Sequence, residues 1–153
     1  ETVIVTLASG SGYQVGVPAS VTATILNDDF PSIFIDNVTV AEGNSGTTNA
    51  TFTISLSAPA TASGVTFDIA TINGTAIGGE DFVAANQTGL TIAPGDSSTT
   101  FTVAVNGDLL NEPNETFTVR LSNVVGAREG GLTGIGTITN DDSLPSLSIG
   151  NAS

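Results

Sequence analysis

Phe117-Thr118-Val119-Arg120-Leu121 places an apolar side chain at every second position, the spacing of a strand with one face in a core. The same rhythm recurs upstream in Phe52-Thr53-Ile54-Ser55-Leu56, Val65-Thr66-Phe67-Asp68-Ile69 and Phe101-Thr102-Val103-Ala104-Val105. Turn signals separate these stretches: Glu42-Gly43-Asn44-Ser45-Gly46, Asn73-Gly74, Gly78-Gly79, Pro94-Gly95-Asp96, Asn106-Gly107-Asp108 and Gly130-Gly131. Strands are expected over 32–41, 49–57, 65–72, 81–84 with 88–93, 98–106, 115–124 and 132–140. Val, Ile and Thr make up about a third of the chain, and such β-branched side chains favour pleated surfaces over helices. No stretch carries a capped, sustained 3.6-residue apolar period. About seven short strands in roughly 110 residues give an all-β fold, an immunoglobulin-like antiparallel β-sandwich without the Cys and Trp of antibody domains. Phe52, Phe67, Phe101 and Phe117 are read as its core.

The chain also repeats itself. Glu1-Thr2-Val3-Ile4-Val5-Thr6-Leu7 returns as Glu115-Thr116-Phe117-Thr118-Val119-Arg120-Leu121. Thr24-Ile25-Leu26-Asn27-Asp28-Asp29 returns as Thr137-Ile138-Thr139-Asn140-Asp141-Asp142, and Pro31-Ser32-Ile33-Phe34-Ile35 as Pro145-Ser146-Leu147-Ser148-Ile149. The offset is 114 residues at both ends, with a one-residue gap near Pro18. Residues 1–29 therefore read as the last two strands of one repeat, 30–142 as a complete repeat and 143–153 as the start of another, a tandem array.

Composition closes several functional classes. The 153 residues carry a net charge of −13 and contain no His, Cys, Met, Trp or Lys. A surface this acidic repels phosphate, which argues against nucleic acid as a partner. Without His or Cys there is no imidazole general base, thiolate nucleophile or usual zinc site, an enzyme could use only paired carboxylates, and the chain is read as not an enzyme. No apolar run approaches the ~20 residues of a membrane-spanning helix, so no membrane insertion by this segment is expected.

Oxygen ligands remain, from nine Asp, six Glu and twelve Asn. In an up-and-down antiparallel sandwich alternate strands run the same way, so the loops after the first, third, fifth and seventh strands meet at one pole. That brings Glu42, Asp108, Glu112, Asp141 and Asp142 into one small volume. Five carboxylates there repel one another unless a cation or protons intervene. Calcium takes six to eight oxygens in irregular geometry, which loops supply; magnesium demands a tighter octahedron. Asp141-Asp142 read in isolation would be Asx turns ending a strand, Asp81 a cap for the turn after Gly78-Gly79, and Glu115 a solvated loop charge. Six Asn-x-Ser/Thr sequons are treated as a by-product of the Thr-rich composition.

The motifs carry a resemblance. Val40-Ala41-Glu42-Gly43, Asn73-Gly74-Thr75-Ala76 through Asp81-Phe82, Leu90-Thr91-Ile92-Ala93-Pro94-Gly95, Gly107-Asp108-Leu109-Leu110-Asn111-Glu112-Pro113-Asn114-Glu115-Thr116-Phe117 and Asn140-Asp141-Asp142 stand in the order and spacing of a Calx-β domain. Over residues 32–142 the chain is similar to that family, which includes calcium-sensing repeats of sodium–calcium exchangers and modules of integrin β4 and bacterial surface proteins. The resemblance implies Ca2+ ligation by Glu42, Asn73, Asp108, the Leu110 carbonyl, Glu112, Asn140, Asp141 and Asp142. Asn73, Gly107 and Asn140 each stand where the exchanger domain has a carboxylate, so one or two weakly held ions are expected.

The function expected is a calcium-binding structural or adhesive repeat of a secreted or cell-surface protein, with calcium at inter-repeat junctions stiffening the array. Its partners would be adjacent repeats of the same chain and, through residues 1–29, neighbouring chains by strand addition. The alternatives are a calcium-sensing regulatory domain and a metal-free spacer.

Overall fold

The computed structural model describes residues 2–24 and 29–150. The described residues form eleven strands: β1 (Thr2–Thr6), β2 (Ser20–Thr24), β3 (Ser32–Ile35), β4 (Val38–Ala41), β5 (Gly46–Leu56), β6 (Val65–Asn73), β7 (Asn86–Ile92), β8 (Ser98–Gly107), β9 (Glu115–Val125), β10 (Arg128–Gly131) and β11 (Thr133–Thr139). β1 and β2 form a two-stranded sheet of their own. The rest form two sheets, one in the order β10-β3-β5-β8 and the other β4-β11-β9-β6-β7. The expected β-sandwich is the fold.

The core lies between these sheets. Ile33, Phe52, Ile54, Val103 and Val105 from the first face Val65, Phe67, Ile69, Phe117, Val119 and Leu121 from the second, all nearly fully buried. Each alternates with an outward polar neighbour, as the period-two pattern requires. Phe117 packs edge-on against Phe52, with ring centroids 6.0 Å apart.

Three details depart from the sequence reading. The strand expected over 32–41 is two strands in different sheets, broken at Asp36-Asn37. Polar side chains satisfy the backbone at the crossing: Thr53 N–H donates to Asp36 Oδ1 at 2.7 Å, and Ile135 N–H donates to Asn37 Oδ1 at 2.8 Å. The strand expected over 132–140 is β11, but the Gly130-Gly131 stretch read as a turn before it belongs to a further short strand, β10. As a result β3–β10 and β4–β11 pair in parallel, within a sandwich whose other pairs are antiparallel. Residues 81–84 are not a strand; Phe82 makes only isolated bridges, to Gly78 and Val105. Its ring drives inward instead, fully buried and stacked on Phe117 at 4.5 Å.

Phe82 thus pins the 74–85 loop across one end of the sandwich. Val83 N–H donates to the Ala104 carbonyl at 2.8 Å, and Ala76 N–H to that of Thr116 at 3.0 Å. Gly74 is required here, because a Cβ would run into the Thr116 carbonyl. Removing the Phe82 ring leaves a cavity against Phe117. Phe82→Ala is expected to lower unfolding free energy by about 3–5 kcal/mol, measured by urea denaturation. Val83→Ala, at an exposed neighbour, should stay within about 0.5 kcal/mol.

Candidate metal centre

Strand direction sets the location. β4, β6 and β11 share one direction in their sheet, and β8 ends beside the start of β5, with Gly46 opposite Gly107. The segments after Ala41, Gly107 and Thr139 therefore converge at one pole, joined there by Glu115 at the start of β9. Gly107 permits the approach: a Cβ on it would strike the carbonyl of Gly43. A side chain has no room at that position.

Glu42 is the centre of this pole. It is 7% exposed, the one buried charged residue among those described, and its Oε1 has no hydrogen-bond partner. Burial first, then the charges of Asp108, Asp142, Glu112 and Asp141, push its pKa up. Oxygens of Glu42, Asp141 and Asp142 lie within 4.8 Å of one another. Asp141 Oδ1 accepts from Gly43 N–H at 3.1 Å, and Asp142 Oδ1 from Asn44 Nδ2 at 2.6 Å. These bonds clip the last loop onto the first. Asp142 Oδ2, like Glu42 Oε1, is buried without a partner. Two buried, unsatisfied anionic oxygens in one cluster are unfavourable unless a cation or protons lie between them.

A second group adjoins the first: Asp81, Glu112 and Glu115 also bring oxygens within 4.8 Å of one another. Glu115 is pushed up by burial and then by Asp81, with which it shares a side-chain hydrogen bond, and further by Glu112 and Glu42. Asp81 Oδ2 also accepts from Ile77 N–H at 2.6 Å, so it both caps its turn and faces the cluster. The pole holds seven carboxylates where sequence reasoning assembled five. Asp81 reaches it because Phe82 next door is a core plug; the buried aromatic at the end of the Asn73–Phe82 motif was the available signal.

The other expected ligands have distinct places. Asp108 faces Glu42 electrostatically, while its Oδ1 accepts from Leu110 N–H at 2.6 Å in an Asx turn. Leu110 itself is exposed on that loop. Asn140 staples loops with its amide: Oδ1 accepts from the N–H groups of Glu112 and Asp142, and Nδ2 donates to the Asp142 carbonyl at 3.0 Å. Asn73 Oδ1 accepts from Gly78 N–H at 3.0 Å. The Asn140 amide thus donates a bond that a carboxylate, lacking an N–H, could not make. Asn27 and Asp28, the matching positions of the partial repeat, lie outside the described residues.

No cation offsets these charges. The chain has two, Arg120 and Arg128. Arg128 opens β10 opposite Ser32, at the far pole, and Arg120 is five residues up β9 from Glu115, about 17 Å along the strand. The donor set is entirely oxygen and mostly anionic, which fits a hard divalent cation with high coordination number.

The Calx-beta domain family model matches residues 26–142. The chain belongs to the Calx-beta family. Among solved structures, the apo-form Calx CBD1 domain is 25% identical, with a TM-score of 0.61 over 74% of this chain and 100% of that one. The calcium binding domain CBD12 of CALX1.1 is 23% identical, with a TM-score of 0.63 over 72% of this chain, and CBD12 from CALX1.2 is 23% identical with a TM-score of 0.64. This chain spans 44% and 46% of those chains, respectively. No curated protein matches the chain. The Calx-beta sandwich and its family membership are established together by sequence and structure.

The raised pKa values of Glu42 and Glu115 give a signed expectation. The folded chain holds these protons more tightly than the unfolded chain. That stabilising contribution is complete below the ordinary value of 4.5 and disappears as pH rises through the higher folded value. In chelator, the melting temperature should therefore rise on going from about pH 7 to about pH 5. Saturating calcium should flatten or invert that trend, because the cation favours the ionised carboxylates.

Proposed function

We propose that this Calx-beta domain binds calcium at the acidic pole, through Glu42, Asp108, Glu112, Asp141 and Asp142. Asp81 and Glu115 would extend the site. The observation that carries this reading is the pair of buried, partnerless oxygens on Glu42 and Asp142. An ion there would supply the missing partner to both and join three loops far apart in sequence. The CBD12 neighbour of CALX1.1 is by name a calcium binding domain, which supports the same choice of ion.

The biological setting belongs to the same proposal: a repeat in an array of such domains, in a secreted or cell-surface protein, with the ion stiffening the joint to the next repeat. The internal repetition and the absence of Lys and Cys support it. So does the linker after Asp142, since Ser143, Leu144 and Pro145 line a groove with Leu109, Leu110, Asn111 and Glu112. The equivalent linker residues Phe30 and Pro31 line a second groove with Ala58, Pro59 and Ala62. Calcium ordering the 108–112 loop would thereby order the surface against which the linker rests. A catalytic role would have to rest on these carboxylates alone, with no imidazole or thiol beside them, and they are better accounted for by a metal ion.

A regulatory sensor is the second reading, and one observation favours it: seven carboxylates rather than five. Higher ligand charge tightens calcium binding, toward roughly 10⁻⁷–10⁻⁵ M for sensors against 10⁻⁴–10⁻³ M for extracellular modules. Thermal melting separates them. With a Kd near 0.1 mM, about 1 mM calcium should stabilise the fold by about 1.4 kcal/mol, a rise of roughly 5 °C. A sensor would show the full rise at micromolar calcium. Glu42→Gln should raise the melting temperature in chelator, by removing a buried charge, and lose most of the calcium-induced rise. A calcium-independent melting temperature would leave the metal-free spacer.

A further inference from the structure

The β1–β2 hairpin has the register of β9–β11. β1 pairs Thr2↔Thr24, Val3↔Ala23, Ile4↔Thr22, Val5↔Val21 and Thr6↔Ser20. The sequence repeat makes Thr2 the counterpart of Thr116, and Thr24 that of Thr137, and β9 pairs Thr116↔Thr137, Phe117↔Gly136, Thr118↔Ile135, Val119↔Gly134 and Arg120↔Thr133. All five pairs correspond. A one-residue slip would have turned every side chain to the other face, so the coincidence fixes which face is which.

The counterparts differ in what covers them. Phe117, Val119 and Leu121 are 1%, 0% and 0% exposed, whereas Val3, Val5 and Leu7 are 46%, 57% and 63% exposed. On the paired strand Gly134 and Gly136 are buried, whereas Val21 and Ala23 are exposed. Side-chain sizes also compensate within a pair. Gly136 has no space for a Cβ because the Phe117 ring lies against it, while the smaller Val3 stands opposite the larger Ala23. The hairpin therefore carries a core face of its own, with no sheet set against it among the described residues.

We infer that residues 2–24 are the closing hairpin of a second Calx-beta sandwich, and that the Val3/Val5/Leu7/Val21 face docks the strand set that repeats residues 30–114. The complete domain specifies this occupant. There, β9 is flanked by β6, β11 is flanked by β4 in parallel, and the opposite sheet supplies Phe52 against Phe117. The hairpin leaves open both of those strand edges and that face. Residues 145–149 of another copy cannot fill them, because they repeat β3 alone, which lies in the other sheet. The inference rests on the array reading of the proposed function and not on its calcium.

The test compares the chain with a longer protein in which a copy of residues 30–114 precedes Glu1, both in chelator and in calcium, by amide hydrogen exchange. In the chain itself, the amides of Val3–Leu7 should exchange about 1,000-fold faster than those of Phe117–Leu121. In the longer protein they should slow to within about 10-fold of them, and Val5→Asp should abolish this gain while leaving Phe117–Leu121 protected. Fast exchange over Val3–Leu7 in the longer protein would overturn the inference. So would an added 30–114 segment that stays unprotected while the original domain is folded. Concentration-dependent protection in the unextended chain, lost with Val5→Asp, would identify a second copy as the occupant and overturn it as well. Calcium binding that fails while the longer protein gains protection would refute the calcium reading alone.

Discussion

The like charge gathered at one end of the sandwich is the constraint to which the surrounding loops answer. Glu42 is taken out of water in the company of Asp108, Glu112, Asp141 and Asp142, and one of its oxygens meets no donor. Bringing anions together in a partly desolvated site costs several kcal/mol for each uncompensated charge. The fold tolerates this with backbone and amide donors: Gly43, Leu110 and Ile77 N–H groups and the Asn44 amide each bond one carboxylate oxygen. Those donors hold the anions in place without neutralising them. A protein whose two guanidinium groups lie elsewhere retains a site that only protons or a metal ion can complete.

The rest of the architecture serves that convergence. Splitting the first strand at Asp36-Asn37 moves β4 into the second sheet, parallel to β11, so Glu42 and Asp141 emerge side by side. Gly107 lets the 42–43 loop close over the end of β8. Phe82, buried against Phe117, carries Asp81 to the same pole. Each device is a packing solution at a sandwich end, and each brings carboxylate oxygens to the acidic pole as its consequence.

Much of this was legible in the sequence, because strands with one buried face write their period directly into the order of residues. The core phenylalanines 52, 67, 101 and 117 and the convergence of Glu42 with Asp141 and Asp142 followed from alternation and strand direction. What sequence did not yield depends on tertiary contact. Asp81 looks like a turn cap, and is one; its second role exists only because Phe82 is anchored across 35 residues to Phe117. Asn140 has the position of a ligand, and the structure adds a bridging role that position alone does not show: its amide joins Glu112 and Asp142 through both its oxygen and its nitrogen. The parallel β4–β11 pair was hidden because a strand that changes sheets keeps its apolar alternation on both sides of the break, and the β3–β10 pair because Gly130-Gly131 reads as a turn.

The most direct measurement is a calorimetric titration of calcium into the chelator-stripped chain, repeated with Asp142→Asn. The account predicts saturable binding with a Kd between about 10⁻⁷ and 10⁻³ M, weakened at least about tenfold in the variant, since one of the two partnerless anionic oxygens is lost. Absence of binding heat together with an unchanged melting temperature, or equal affinity in the variant, would contradict it.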